Sequence, residues 1–142
     1  MKIANKPPIW FWIIAILALL WNIMGVLAYL AQAYITDEAI ASLPEAEQSF
    51  YNNMPAWVTA AFAIAVFAGA LGCILLLLRK KIASILFILS LIGIVMQTTY
   101  NFFLQDFIVL SGSRMVMPIL VLLVAIFLIW FSKKTTVKAW IS

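Results

Sequence analysis

The sequence predicts an all-α membrane protein: an antiparallel four-helix transmembrane bundle with a short helical loop on its extracytoplasmic side. Three observations predict it. Hydrophobic residues fill 67% of the 142 positions and charged residues only 10%, with a mean hydropathy of +1.15, which excludes a disordered chain and an ordinary soluble domain. The apolar residues fall in four runs, roughly 9–34, 55–78, 82–104 and 115–132, each near the ~20 residues a helix needs to cross the hydrocarbon core. The charges alternate between the connections. Lys2 and Lys6 precede the first run, Arg79, Lys80 and Lys81 separate the second and third, and Lys133, Lys134 and Lys138 follow the fourth. Asp37, Glu38, Glu45, Glu47 and Asp106 lie in the other two connections, where Arg114 is the one cation. Positive residues in short loops stay on the cytoplasmic side, so both termini and the Arg79–Lys81 turn are expected on the cytoplasmic side of the membrane. The runs leave too little chain for a soluble domain, and 1–142 reads as one transmembrane unit.

The first run follows two lysines and contains Ala31-Gln32-Ala33, features that a secretory signal shares. It is longer than the ~7–15 residues of a signal core and is read as a retained span. Heptad steps collect Ala15, Ala18, Asn22, Gly25, Tyr29 and Gln32 on one stripe. The acidic loop 35–54 carries helix-start signals: Thr36 as a cap before Asp37 and Glu38, then Ser42 as cap, Pro44 in the first turn and Glu45 as capping-box acid. Ile40, Leu43 and Phe50 recur at near-helical spacing, which lays this loop on the membrane surface or over the bundle mouth.

In the second run Ala61, Ala65, Gly69 and Cys73 recur every four residues beside Ala68 and Gly72, the small-residue spacing that lets helix backbones approach closely. Leu76 is read as lipid-facing. The third run aligns Ala83, Ser90, Gly93, Gln97 and Tyr100, with Asn101 beside them. The fourth offers Ala125 and Ser132 beyond Pro118 and is expected to be the most lipid-exposed helix. Heptad seams predict left-handed packing at about 20°. A polar side chain in lipid needs a partner, so Asn22, Gln32, Gln97 and Asn101 are expected to bond across the first and third spans or to line a small polar cavity. Trp10, Trp12, Trp130 and Trp140 mark the inner headgroup level and Tyr34, Tyr51 and Trp57 the outer. Trp21, near mid-span, is either packing bulk or a stacking face.

No Asp, Glu, Lys, Arg or His lies within the four runs. Proton relays, voltage sensors and ion-coupled pumps use such residues, and so does metal-assisted chemistry on phosphates. Histidine is absent and Cys73 is the one cysteine, which excludes an intrachain disulfide, a C-x-x-C pair and a thiolate zinc site. Gly-rich phosphate loops, serine elbows and zincin patterns are also missing. No catalytic residue, metal site or cofactor is therefore expected, and no enzymatic activity. The net charge of +4 is a topology signal, and no soluble basic face offers itself to nucleic acid. What remains is binding or passage of a neutral polar solute in the bilayer, or an accessory or assembly role through helix contacts with partners. For the solute, Asn22, Gln32, Gln97 and Asn101 are the candidate contacts and Trp21 or Tyr29 the stacking face.

The stretches "PPIWFWIIAILALLWNIMGVLAYL" and "SLPEAEQSFYNNMPAWVTAAFAIAVFAGALGCILLLLRKK", with the "MPIL" that opens the fourth run, resemble a family of small bacterial four-span inner-membrane proteins often labelled sugar transporter. The resemblance covers nearly the whole chain. It implies the four-span fold, the inner-membrane location and a sugar as the solute, which amide hydrogen bonds and aromatic faces can hold. Four spans leave little room for alternating access, so a transporter of this kind implies a homodimer. Reporter fusions at residue 142 and within residues 37–50 are expected to report opposite compartments; matching signals would overturn the topology.

Overall fold

A computed structural model describes residues 6–105 and 112–142. Lys2 and Asp106 lie outside the described residues, as does the side chain of Arg114. The order is α1 (Ile9–Ala33), α2 (Asp37–Ala41), α3 (Glu45–Asn52), α4 (Ala56–Leu77), α5 (Ala83–Thr99) with a π-helical turn (Tyr100–Leu104), a 3-10 turn (Gly112–Met115) and α6 (Val116–Val137). No strand occurs among the described residues. Four helices, α1, α4, α5 with its π turn, and α6, are long and apolar enough to cross a membrane. They pack in chain order as an antiparallel bundle, an all-α integral membrane protein. One end, here the basic end, carries residue 6, the C-terminus and the Arg79–Lys81 turn; the acidic end carries α2 and α3.

Local chemistry sets the boundaries. Pro8 and Pro55, extended at ψ 166° and 149°, stand immediately before α1 and α4, where proline's preset φ and missing N–H cost nothing. Thr36 Oγ1 accepts from the Ala39 N–H at 3.1 Å and starts α2. Ser42, expected to cap α3, instead donates to the Ala39 carbonyl at 2.7 Å. Its backbone is still helical at φ −82°, ψ −8°, and an N-cap needs extended angles; Pro44 supplies them. α6 runs past its expected end at 132. Thr135 and Thr136 donate to the Ser132 carbonyl, and Lys134 and Lys138 lie 4.8 and 4.9 Å over the Trp130 and Trp140 rings, cations well placed at a helix C-terminus.

α4 is the central element, with α1 on one side and α5 on the other. A Cβ on Gly93 of α5 would come 2.7 Å from the Ala61 carbonyl oxygen and 2.9 Å from the Ala65 nitrogen, so the two backbones touch. A Cβ on Gly69 would collide with the Asn22 side chain of α1, and one on Gly72 would come 2.7 Å from the Phe87 ring. Each junction also carries a polar link. Ser90 donates to the Ala65 carbonyl, Asn22 Nδ2 to Cys73 Sγ at 3.4 Å, and Ser84 Oγ to Ser132 Oγ at 2.9 Å.

Three expectations are corrected. α1 packs on α4, so its amides do not bond to α5, and of the two outcomes expected for Asn22 only the cavity remains. Leu76 is fully buried, because α4 is covered on two faces and Leu76 continues the Gly69-Cys73 stripe. The most lipid-exposed span is α1, which buries only Phe11, Ala15 and Ala18, whereas α6 buries Ala125, Leu128, Phe131, Ser132 and Thr135.

The basic end is clasped shut. α4 and α6 both stop with a non-glycine residue in the left-handed region, Arg79 at φ 60° and Ala139 at φ 59°. In each the two following N–H groups reach back, Arg79 to Leu76 O and Lys80 to Leu75 O, then Ala139 to Thr136 O and Trp140 to Thr135 O, the Schellman pattern. These turns join directly: Ser142 N–H donates to Arg79 O, Lys81 N–H to Ser142 O, and Arg79 Nε to Trp140 O at 2.8 Å. Ile141 is buried, and Trp10 and Phe11 of α1 meet Trp140 and Phe131 with ring centroids 5.0 and 5.7 Å apart.

Close backbone approach predicts a ranking. Gly93→Ala is expected to lower stability by about 1–3 kcal/mol by overpacking against backbone, and Gly69→Ala by somewhat less because the opposing Asn22 is a side chain. Gly25→Ala, whose Cβ would meet Val66 Cγ1 at 3.2 Å, is expected to cost least. Thermal unfolding in detergent measures this. Equal tolerance, matching a lipid-facing control such as Leu71→Ala, would mean these glycines are not interfaces.

Candidate functional site

Because α1 leans on α4 and α6 leans on α5, the four spans do not close along their whole length. Toward the acidic end they leave a cleft of about 350 Å³. α4 and α5 form its back wall through Ala65, Gly69, Ser90 and Ile94, and α1 and α6 form its sides. Phe87 and Leu128 make its floor; both are buried and belong to the basic-end core with Phe11 and Phe131. The cleft is thus stopped toward the basic end.

Helical spacing explains which side chains line it. On α5 the positions 87, 90, 94, 97, 98 and 101 share one face, and α6 repeats the spacing with 117, 118, 121, 124, 125 and 128, as three- and four-residue steps require. Asn22, Gly69 and Ser90 stand at one level, since a Cβ on Gly69 would contact both polar side chains. Gln97 and Asn101 lie seven and eleven residues beyond Ser90, ~10 and ~16 Å nearer the acidic end at 1.5 Å per residue. Asn101 belongs to the π turn, a local widening of the helix that recurs at functional positions, and its carbonyl accepts from Gln105 Nε2 at 2.8 Å.

The six site residues expected from sequence separate into two groups. Asn22, Gln97, Asn101 and Trp21 line the cleft. Gln32 and Tyr29 lie outside it: Gln32 Nε2 donates to Met54 Sδ at 3.3 Å, and the Tyr29 ring stands edge-on between Phe62 and Phe67 at 5.5 and 5.6 Å. Thr98, which the polar stripes do not single out, also lines the cleft; its position four residues past Ile94 on the Gln97 face is the available signal.

The amides differ in their commitments. Asn22 Nδ2 donates to the Ala18 carbonyl at 2.9 Å and to Cys73 Sγ, so it serves as a link between α1 and α4. Among the described residues, neither the Gln97 amide nor the Asn101 amide has a protein hydrogen-bond partner, although every fully enclosed side-chain N or O atom does. Both escape enclosure by opening into the cleft. Among the described residues no ionisable side chain lines it, and no group of three metal-ligating side chains occurs. Amides, a hydroxyl and an indole face can hold a neutral guest by hydrogen bonds and apolar contact; they offer nothing to a charge. Comparison of the chain with protein-family models, curated proteins and solved structures finds no match.

This division predicts opposite thermal behaviour for chemically identical changes. Asn22→Leu removes an interhelical bond worth about 0.6–2 kcal/mol and presses a branched chain onto Gly69, so the melting temperature in detergent is expected to fall. Gln97→Leu and Asn101→Leu break no protein bond and are expected to leave it unchanged or raise it. A loss at Gln97 as large as that at Asn22 would make Gln97 structural.

Proposed function

We propose that the protein binds a neutral small molecule in this cleft, within the membrane. One observation carries the reading: the Gln97 and Asn101 amides face the cleft without a protein partner, where an unmet hydrogen-bonding group costs about 1–3 kcal/mol. A polar guest, solvent or ligand, relieves that cost. The absence of ionisable side chains among the described residues lining the cleft favours an uncharged guest, because a desolvated ion without a counter-charge is far more costly than a desolvated amide. Trp21 supplies a flat apolar face beside Asn22. A sugar, the solute implied by the family resemblance, belongs to this class at its polar extreme.

Passage across the bundle requires the Phe11, Phe87, Leu128 and Phe131 layer to part, and in the present conformation that layer is packed. With the basic end in the cytoplasm, the cleft draws from the outer half of the membrane. A second copy of the chain can supply the remaining surface for alternating access. The rival reading, an accessory or assembly protein acting through its partners, draws its support from the same closed layer.

Purified protein in liposomes, assayed for binding and uptake of labelled neutral solutes, separates the two. Gln97→Leu/Asn101→Leu is expected to weaken binding about tenfold or more with melting temperature retained. Binding is expected to be flat between about pH 5 and 9, the range in which only ionisable side chains titrate. No solute-specific binding, together with a stoichiometric partner retained in mild detergent, would assign the accessory role.

A further inference from the structure

The cleft has an open side as well as a polar end, and the two together narrow the ligand and its route. α1 meets α6 and the C-terminal turn at the basic end through Trp10 and Phe11 against Phe131 and Trp140. Nearer the acidic end both helices line the cleft with residues that are also exposed on the bundle surface, Met24 at 64%, Met117 at 58%, and Ala28. In a bundle that spans the bilayer, a gap between these two helices opens sideways, toward hydrocarbon. Unpartnered polar groups gather at the acidic end of α5, on Gln97, Thr98 and Asn101, whereas the deeper part is bounded by Val66, Phe87, Ile94, Val121 and Leu128. At mid-depth the Asn22 N–H group and the Ser90 hydroxyl are already donated to protein acceptors.

This gradient parallels that of a single bilayer leaflet, polar at the headgroup level and apolar toward the midplane. We propose that the ligand is a neutral single-chain or single-ring amphiphile that moves sideways from the bilayer through the α1/α6 gap, its hydroxyl, carbonyl or amide head on Gln97 and Asn101 and its apolar body on Val121 and Leu128. The inference rests on the binding reading above and replaces a free sugar with a membrane-dissolved ligand. A free hexose would leave most of its hydroxyls against apolar walls, a penalty for each one unmet. A two-chain phospholipid exceeds the space, since about 350 Å³ is near the low end of ligand pockets, roughly 300–1,000 Å³. An ionised head would meet no counter-charge among the described residues lining the cleft.

The test uses the full chain in lipid nanodiscs and a monoacylglycerol with a diazirine near its tail end, mapped by peptide mass spectrometry. Saturable labelling is expected at Val121, Ala125 or Leu128, above the non-saturable labelling of lipid-facing Leu71 and Leu123. It is expected to fall about tenfold in Gln97→Leu/Asn101→Leu, and in Ala28→Trp/Met117→Trp, which places bulk in the gap at exposed positions and leaves the core intact. Millimolar hexose is expected not to compete. Floor labelling that a hexose displaces, or that persists undiminished in the gap variant with its melting temperature retained, would overturn the lateral route while keeping the cleft as a binding site. No saturable floor labelling by the monoacylglycerol and none by a photoactivatable hexose would overturn both readings.

Discussion

Backbone contact along α4 is the constraint on which the rest of this structure depends. In lipid, apolar side chains gain little by turning from the solvent to one another, so helices associate through close packing and occasional hydrogen bonds. α4 provides both on two faces. Gly69 and Val66 receive α1, while Ala61, Ala65 and Gly72 receive α5. With both faces of α4 occupied, α1 and α6 sit at the two ends of the chain of contacts, and their junction is left to large aromatic rings at one end of the bundle. The cleft is the space those rings do not fill.

The same geometry decides the fate of each amide. Asn22 lies where α1 is pressed against α4, so a carbonyl and a thiol are within reach, and its donor is satisfied locally. Gln97 and Asn101 lie on the face of α5 that α4 has already turned from α1, where no helix comes close enough to answer them. Three amides of the same chemistry therefore divide into one interhelical link and two open cleft-lining groups according to the distance of the neighbouring backbone.

Much of the fold was legible in the sequence. The Ala61-Ala65-Gly69-Cys73 repeat states a steric fact directly, because only small residues permit the approach seen at Gly93, and all of these positions are buried. The four spans and the start of α2 at Thr36 follow from hydropathy and capping alone. Neighbour identity was not legible: a polar stripe shows which way a helix faces relative to itself, and of the two outcomes open to Asn22 and Gln97, a direct bond or a shared cavity, the structure shows the cavity, because α1 rests on α4 and Asn22 bonds there. Leu76 departs from its lipid-facing expectation because α4 has two seams and the small-residue repeat announces only one. Of the six site residues, Gln32 and Tyr29 share the Asn22 stripe yet stand beyond the cleft, since α1 rests on α4 there and turns them toward Met54 and the Phe62 and Phe67 rings.

Rigidity is distributed as unevenly as polarity. At the basic end two left-handed helix stops, each costing about 1–2 kcal/mol without glycine, are held by mutual backbone bonds and a buried Ile141, so the ends of α4, α5 and α6 form one block with the start of α1. Beyond Ala18 no residue of α1 is buried, and its links there are the Asn22 bond, Gly25 against Val66, and Tyr29 and Gln32 at the rim. The stability of a segment follows its buried contacts, so the acidic half of α1 is the part of the bundle that moves at least cost. It is also one wall of the cleft. On the proposed reading, the route from Gln97 and Asn101 to the bilayer runs past the wall with the fewest packed contacts, while the opposite wall, α4 against α5, holds the amides at a constant spacing.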